Sequence, residues 1–240
     1  MQVQTFPSYD DLSRHTAEHI ADMVRQKPTA TLCLASGETP ISTFHHLVTL
    51  AQSGQVDFSR CTFIGLDEWI GFGPEDEGSC AYYLYRDLFG PLSIRPEQIH
   101  YFNAKSIDLP AECLRIDAAI AECGGLDLIL VGIGMNGHIA LNEPGTSFNL
   151  YAHVSDLAEV TVQVGQKYFT QATPLSKGIT LGLRHLMEAR EVILMASGSR
   201  KAAVIRHALQ GPVTEELPAS IIQQHPNAHV WLDAEAGSQI

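Results

Sequence analysis

The sequence predicts an α/β fold: an open, mostly parallel sheet with helices on both faces. Three observations carry this expectation. Five short apolar runs, at residues 31–36, 61–66, 126–132, 191–197 and 228–233, show almost no polar alternation, as strands buried on both faces do. Stretches of helical pattern separate them, and strands alternating with helices of that length imply βαβ crossovers and parallel pairing. The length of 240 residues lies within the ~250 that one α/β unit reaches, so residues 1–240 are expected to form a single domain.

In chain order, a helical pattern covers 9–27, and Thr-Leu-Cys-Leu-Ala-Ser at 31–36 follows as a strand. Pro40 stands where the next helix, 41–53, begins, a place where its missing N–H costs nothing. Cys-Thr-Phe-Ile-Gly-Leu at 61–66 is the second strand, 80–89 the third helix, and Gln-Ile-His-Tyr-Phe at 98–102 offers a further short strand. A helix at 111–123 leads into the apolar run at 126–132. Residues 145–176 have weak periodicity and are expected to leave the core as an irregular lid, since long excursions in compact domains often cover active sites. A helix at 178–189, the run at 191–197, a helix at 200–209 and the run at 228–233 complete the alternation. No internal repeat, low-complexity tract or charge block interrupts it.

Composition narrows the function classes. The 15 Lys and Arg against 27 Asp and Glu give a net charge of −12, which repels nucleic acid and anionic membrane surfaces. Neither is expected as a partner. A local anion site at a helix N-terminus remains compatible with that charge. No apolar run approaches the ~18 residues that span a bilayer, and the N-terminus carries no signal-peptide pattern. The five cysteines are scattered and form no Cys-x-x-Cys pair, as suits buried free thiols in a reduced, cytoplasmic protein. No metal-ligand spacing is present, and no cofactor is expected.

Ligands in open α/β sheets bind beyond the carboxyl ends of the strands. Four such ends here carry unusual polar segments, and their convergence on one sheet edge says more than any of them alone. Ser36-Gly37-Glu38-Thr39-Pro40 joins a strand to a helix start, where backbone N–H groups and two hydroxyls suit a phosphate. A ligand-free helix cap is the competing reading, and Glu38 must point away if phosphate binds. Asp67-Glu68 sets two carboxylates at a strand end, of which one can face the cleft well and act as a general base once water is excluded. Helix capping again competes. In the Gly-rich segment 132–145, His138 follows a glycine and Glu143 lies five residues on, with Pro144 behind it. A carboxylate on one imidazole nitrogen sets the tautomer and raises the basicity of the other. In Ser197-Gly198-Ser199-Arg200-Lys201 a cation stands in a first helical turn, against the helix dipole, so something negative should offset it.

Together these segments resemble the hexosamine-6-phosphate deaminase/isomerase family, over residues 32–236 approximately. The most specific element is Asn136-Gly137-His138-Ile139-Ala140-Leu141-Asn142-Glu143-Pro144-Gly145. The related 6-phosphogluconolactonases share a similar Gly-His turn without the Asn-Glu-Pro continuation. The resemblance implies a Rossmann-like fold of the deaminase/phosphogluconolactonase type. It makes Asp67 the enolisation base, His138 the ring-opening base and Glu143 its carboxylate partner. Asn136 stands where enteric-type members have Asp, so Glu143 must supply that carboxylate alone. Ser36, Gly37, Glu38 and Thr39 match the phosphate loop, Lys201 the phosphate-binding Lys, and Lys167 falls where many members carry a lid Arg. Trp69 and the runs at 178–183 and 189–192 resemble the galactosamine-6-phosphate branch more than the glucosamine one.

The implied reaction converts an aminosugar 6-phosphate to a ketose 6-phosphate and ammonia by acid/base chemistry, so the partner is a small sugar phosphate. Two rivals remain: a 6-phosphogluconolactonase using His138 as base, and a non-catalytic sugar-phosphate-sensing domain. Only seven residues follow Asp233, too few and too polar for a large interface, so a monomer or weak dimer is expected.

Overall fold

The computed structural model describes residues 1–240 throughout. The chain begins with β1 (Gln2–Phe6), α1 (Tyr9–Gln26), β2 (Thr31–Leu34), α2 (Ile41–Gln52), β3 (Thr62–Ile64), β4 (Asp67–Trp69) and α3 (Cys80–Leu84). It continues through β5 (Ile99–His100), α4 (Leu109–Glu122), β6 (Leu128–Val131), β7 (His153–Asp156) and α5 (Glu159–Gly165). It ends with β8 (Lys177–Thr180), α6 (Leu183–Glu188), β9 (Val192–Ala196), α7 (Ala202–Gln210) and β10 (Ala228–Asp233).

Seven strands form the main sheet in the order β1-β10-β9-β6-β2-β3-β5, and every neighbouring pair is parallel. The apolar runs lack alternation because both faces are covered. Along β6, Leu128 and Leu130 enter the core beneath α1 and α2, while Ile129 and Val131 enter the one beneath α4 and α7. Helix α1 shows how sequence fixes such a cover. Its Ser8 cap accepts from the Asp11 N–H, Asp10 and Asp11 favour the dipole, and Leu12, Thr16, Ile20 and Val24 recur every fourth residue on the buried face. Each large apolar side chain so buried contributes about 1.5–3 kcal/mol.

From β2 the chain builds outward through β3 and β5, then returns to place β6 on the other side of β2. The strand order therefore reverses between β2 and β6, and a crevice opens beyond their carboxyl ends. A second sheet, antiparallel in the order β4-β8-β7, flanks that crevice.

The structure departs from expectation in several places, the second sheet with its strand β4 among them. Strand β1 had no signal because its side chains, except Phe6, are exposed; it is a polar edge strand paired only to β10. The helix expected at 178–189 is a strand to Thr180 and a helix only from Leu183. Gly178 and Gly182 imitate helical spacing, yet both are close-approach sites: a Cβ on Gly182 would lie 2.0 Å from the Leu150 carbonyl oxygen. The stretch at 145–176 is not irregular throughout, since it supplies β7 and α5. Helix α3 passes at Leu84 into a wider π-helical turn through Phe89. The strand expected at 98–102 is present as the two-residue edge β5.

Candidate active site

The four strand ends singled out in the sequence converge on one cavity of about 630 Å³. Ser36–Thr39, Asp67, Asn136, His138, Lys167 and Lys201 all line it. Glu143 does not. It lies behind His138, buried, and reaches the cavity through that ring and through Asn136.

The loop after β2 turns at Gly37, whose φ of +103° excludes most side chains. Tyr9 of α1 props it: the Tyr9 hydroxyl donates to the Thr39 carbonyl at 2.9 Å and accepts from the Ser42 N–H at 3.2 Å. Helix α2 starts at Ile41, so Pro40 caps it rather than opening its first turn. Glu38 does not leave the site as a phosphate loop would require: it lines the cavity, and its carboxylate takes a 2.6 Å bond from Lys167 Nζ, which offsets its charge.

Asp67 and Glu68 separate cleanly, because successive side chains of a strand point to opposite faces. Glu68 turns inward, fully buried, and accepts the N–H groups of Cys80 and Ala81 at 2.9 Å each, anchoring the start of α3. Asp67 faces the cavity. Burial pushes its carboxyl up to about 6, against a hydrogen bond from the Cys80 thiol and the nearby His138 ring. The Tyr101 hydroxyl donates to the Asp67 carbonyl at 2.9 Å and holds the strand end.

His138 is seated by the turn that precedes it. A Cβ on Gly134 would lie 2.4 Å from His138 Nε2 and Cδ2, so the ring rests directly on the Gly134 backbone. On the far side, His138 Nδ1 stands 3.3 Å from Glu143 Oε2 and 3.1 Å from Thr161 Oγ1. Asn136 Nδ2 donates to the same Glu143 oxygen at 2.7 Å. Burial alone raises the Glu143 carboxyl, but the His138 ring and the Asn136 amide outweigh it and hold the group below the ordinary glutamate range. Asn142 Nδ2 ties the turn down by donating to the Ile139 and Leu181 carbonyls, each at 2.9 Å.

Beyond β9, the Asp233 carboxylate accepts from the Ser197 hydroxyl and from the N–H groups of Gly198 and Ala236, which shapes the last loop. Lys201 Nζ donates to the Ile133 carbonyl, a neutral acceptor and not the negative charge its position called for. Burial, with Lys167 and Arg200 nearby, pulls the Lys201 ammonium down to about 8. Above the loop after β2, the Tyr168 hydroxyl comes within 3.1 Å of where a Gly37 Cβ would stand. The Lys167 contact with Glu38 and the Tyr168 contact with Gly37 bring residues 167 and 168 onto the expected phosphate loop.

Several contributors were invisible in the sequence. Cys80 comes to the cavity wall beside Asp67, and burial keeps its thiol protonated, well above the usual range. Tyr9, Thr161 and Asp233 are ordinary residues whose role depends on distances that only the fold sets. No group of three His, Cys, Asp or Glu side chains is arranged to hold a metal ion, and no helix is long and apolar enough to cross a membrane.

Comparison with known proteins agrees with this architecture. The family of glucosamine-6-phosphate isomerases and 6-phosphogluconolactonases matches residues 8–231. A glucosamine-6-phosphate deaminase of Lachnoclostridium phytofermentans is 40% identical over 231 residues, covering 96% of this chain and 98% of its own. The solved structure of a monomeric glucosamine-6-phosphate deaminase superposes with a TM-score of 0.97 at 35% identity, over 100% of both chains. A 6-phosphogluconolactonase of Trypanosoma brucei superposes at 0.74 with 19% identity, covering 100% of this chain and 98% of its own, a likeness of fold alone. With a family match spanning all four strand-end segments, the chain belongs to the glucosamine-6-phosphate isomerase/6-phosphogluconolactonase family.

Proposed function

We propose that this protein is a hexosamine-6-phosphate deaminase/isomerase, converting glucosamine 6-phosphate or its C4 epimer to the ketose 6-phosphate and ammonia. One observation carries the reading: a buried carboxylate, Asp67, and an imidazole backed by a carboxylate, His138 with Glu143, serve the same cavity as a two-lysine anion site. Ser36, Gly37, Glu38 and Thr39 form the phosphate loop, the anchoring donors being its backbone N–H groups and hydroxyls. Lys201 holds the phosphate, and Lys167 reaches it when it releases the Glu38 carboxylate. His138 Nε2 takes the O1 proton and returns one to O5, opening the ring. Asp67 then removes the C2 proton, the C–H electrons forming an enol with C1. Return of that proton to C1 leaves an imine at C2, and water adds there to expel ammonia. Asp67 is mostly ionised at neutral pH, yet basic enough to take a proton, and such positioned groups typically contribute ~10²–10⁴-fold. Asn136 belongs to this machinery through Glu143, which it orients.

The residues from 145 to 176 act as the lid of a single catalytic domain, 1–240. A lactonase needs one base and would leave Asp67 without work, and a sensor would need neither Asp67 nor His138. Preference for the galactosamine epimer is the finer reading, resting on Trp69 at the cavity wall; the relatives matched carry the glucosamine name. The monomeric relative supports a monomer or weak dimer, and metabolism of a phosphorylated sugar suits the cytoplasm. Ammonia release from purified protein, scored against glucosamine 6-phosphate, galactosamine 6-phosphate and 6-phosphogluconolactone, tests all of these substrates together. Lactone hydrolysis without ammonia from either aminosugar overturns the proposal.

A further inference from the structure

Thr161 stands in the first turn of α5 with its side chain buried against the back of the His138 ring. Two acceptors compete there for the proton on His138 Nδ1. Glu143 Oε2 is 3.3 Å away and already receives the Asn136 amide at 2.7 Å, so it lies beyond the usual N–H···O range of about 2.7–3.2 Å. Thr161 Oγ1 is the closer partner at 3.1 Å. A hydroxyl has one hydrogen to give and lone pairs to receive. An ionised carboxylate can only accept, so the ring nitrogen that faces Glu143 carries its proton, and a Thr161 lone pair receives it from the shorter distance. The donation then runs from His138 Nδ1–H to Thr161 Oγ1.

We propose that Thr161 is a positioning residue for the ring-opening step, its hydroxyl accepting from His138 Nδ1–H beside Glu143 so that the imidazole is held with the proton on Nδ1 and the free lone pair on Nε2. The inference rests on the deaminase reading for its catalytic consequence. The hydrogen bond itself does not depend on that reading.

Two measurements test it. In the wild-type protein without substrate, ¹⁵N NMR of His138, assigned by the signals lost in His138→Gln, is expected to show the neutral Nδ1–H tautomer. In steady-state ammonia release, Thr161→Val, which keeps volume and removes the hydroxyl, lowers kcat by about 10- to 100-fold with KM within about threefold. Thr161→Ser, which restores the hydroxyl, returns kcat to within about threefold of wild type. An Nε2–H tautomer in the wild type overturns the proposal. So does a Thr161→Ser variant as impaired as Thr161→Val, since packing rather than the hydroxyl would then be at stake. Absence of deaminase turnover in the wild type refutes the proposed function instead, and the nitrogen signature still decides the hydrogen bond to Thr161.

Discussion

Alanine at Gly134 is the sharpest test of how His138 is held. The added Cβ would stand 2.4 Å from Nε2 and Cδ2 of the ring, where ordinary contact begins near 3.4 Å. The ring must therefore retreat by about 1 Å or tilt off its rotamer. Gly134 is not among the glycines with positive φ, so the backbone accepts alanine and the effect is confined to the ring. Misplacement of about 1 Å in a reacting group costs on the order of 10²-fold in rate. The overpacking itself costs about 1–3 kcal/mol, a few degrees of melting temperature in a chain of this length. Gly134→Ala is thus expected to fold, to bind sugar phosphate nearly as well as wild type, and to lose about 100-fold in kcat. Ammonia release and thermal melting on the same sample measure both effects. A folded variant with kcat within about threefold of wild type would refute the seating of His138 on this glycine.

Three further predictions come from the same geometry. Asp67→Asn abolishes turnover while substrate affinity stays within about tenfold, or ~1.4 kcal/mol; C2-proton exchange with solvent persisting in the variant would assign the base elsewhere. In kcat/KM, activity falls as pH drops through about 6, where Asp67 takes up its proton and ceases to be a base. It falls again as pH rises through about 8, where free Lys201 loses its charge, and Lys201→Arg moves that upper limb alkaline if the assignment holds. Glu68→Ala strips the partners from two buried N–H groups at the start of α3, costing about 3 kcal/mol or roughly 6–12 °C in melting temperature; a melting curve unchanged by the substitution rules out the anchor.

How far the fold could be read from the sequence depended on burial. The runs that became β2, β3, β6, β9 and β10 were legible because both faces of the sheet are covered, which removes polar alternation and leaves an unbroken apolar signature. Strand β1 escaped for the opposite reason: an edge strand exposed along four of its five residues has no apolar signature to offer. The second sheet escaped through length. Its members β4, β7 and β8 have three or four residues each, too few for a period to emerge, and two glycines in 178–182 mimicked a helical stripe. They serve instead to let Leu141 and the 150–151 backbone come close.

The site was legible where chemistry is scarce and illegible where it is common. Carboxylates, imidazole and ammonium groups at strand ends are few, and a parallel sheet brings its carboxyl ends to one edge, so listing them located the cavity. The doublet at 67–68 was readable only halfway. Composition says that two carboxylates are present; the pleat of β4 decides that Asp67 meets the cavity and Glu68 meets the N–H groups of α3. Thr161 lay beyond reach for a different reason. A threonine 23 positions from its histidine partner carries no local sign of that contact, and the helix that presents it was hidden in a stretch with weak periodicity. Yet that same stretch, from Thr161 to Tyr168, touches His138 at one end of the cavity and the loop of Gly37 and Glu38 at the other. The segment that looked least structured is therefore the one that physically joins the proposed proton-transfer end of the site to its proposed anion-binding end.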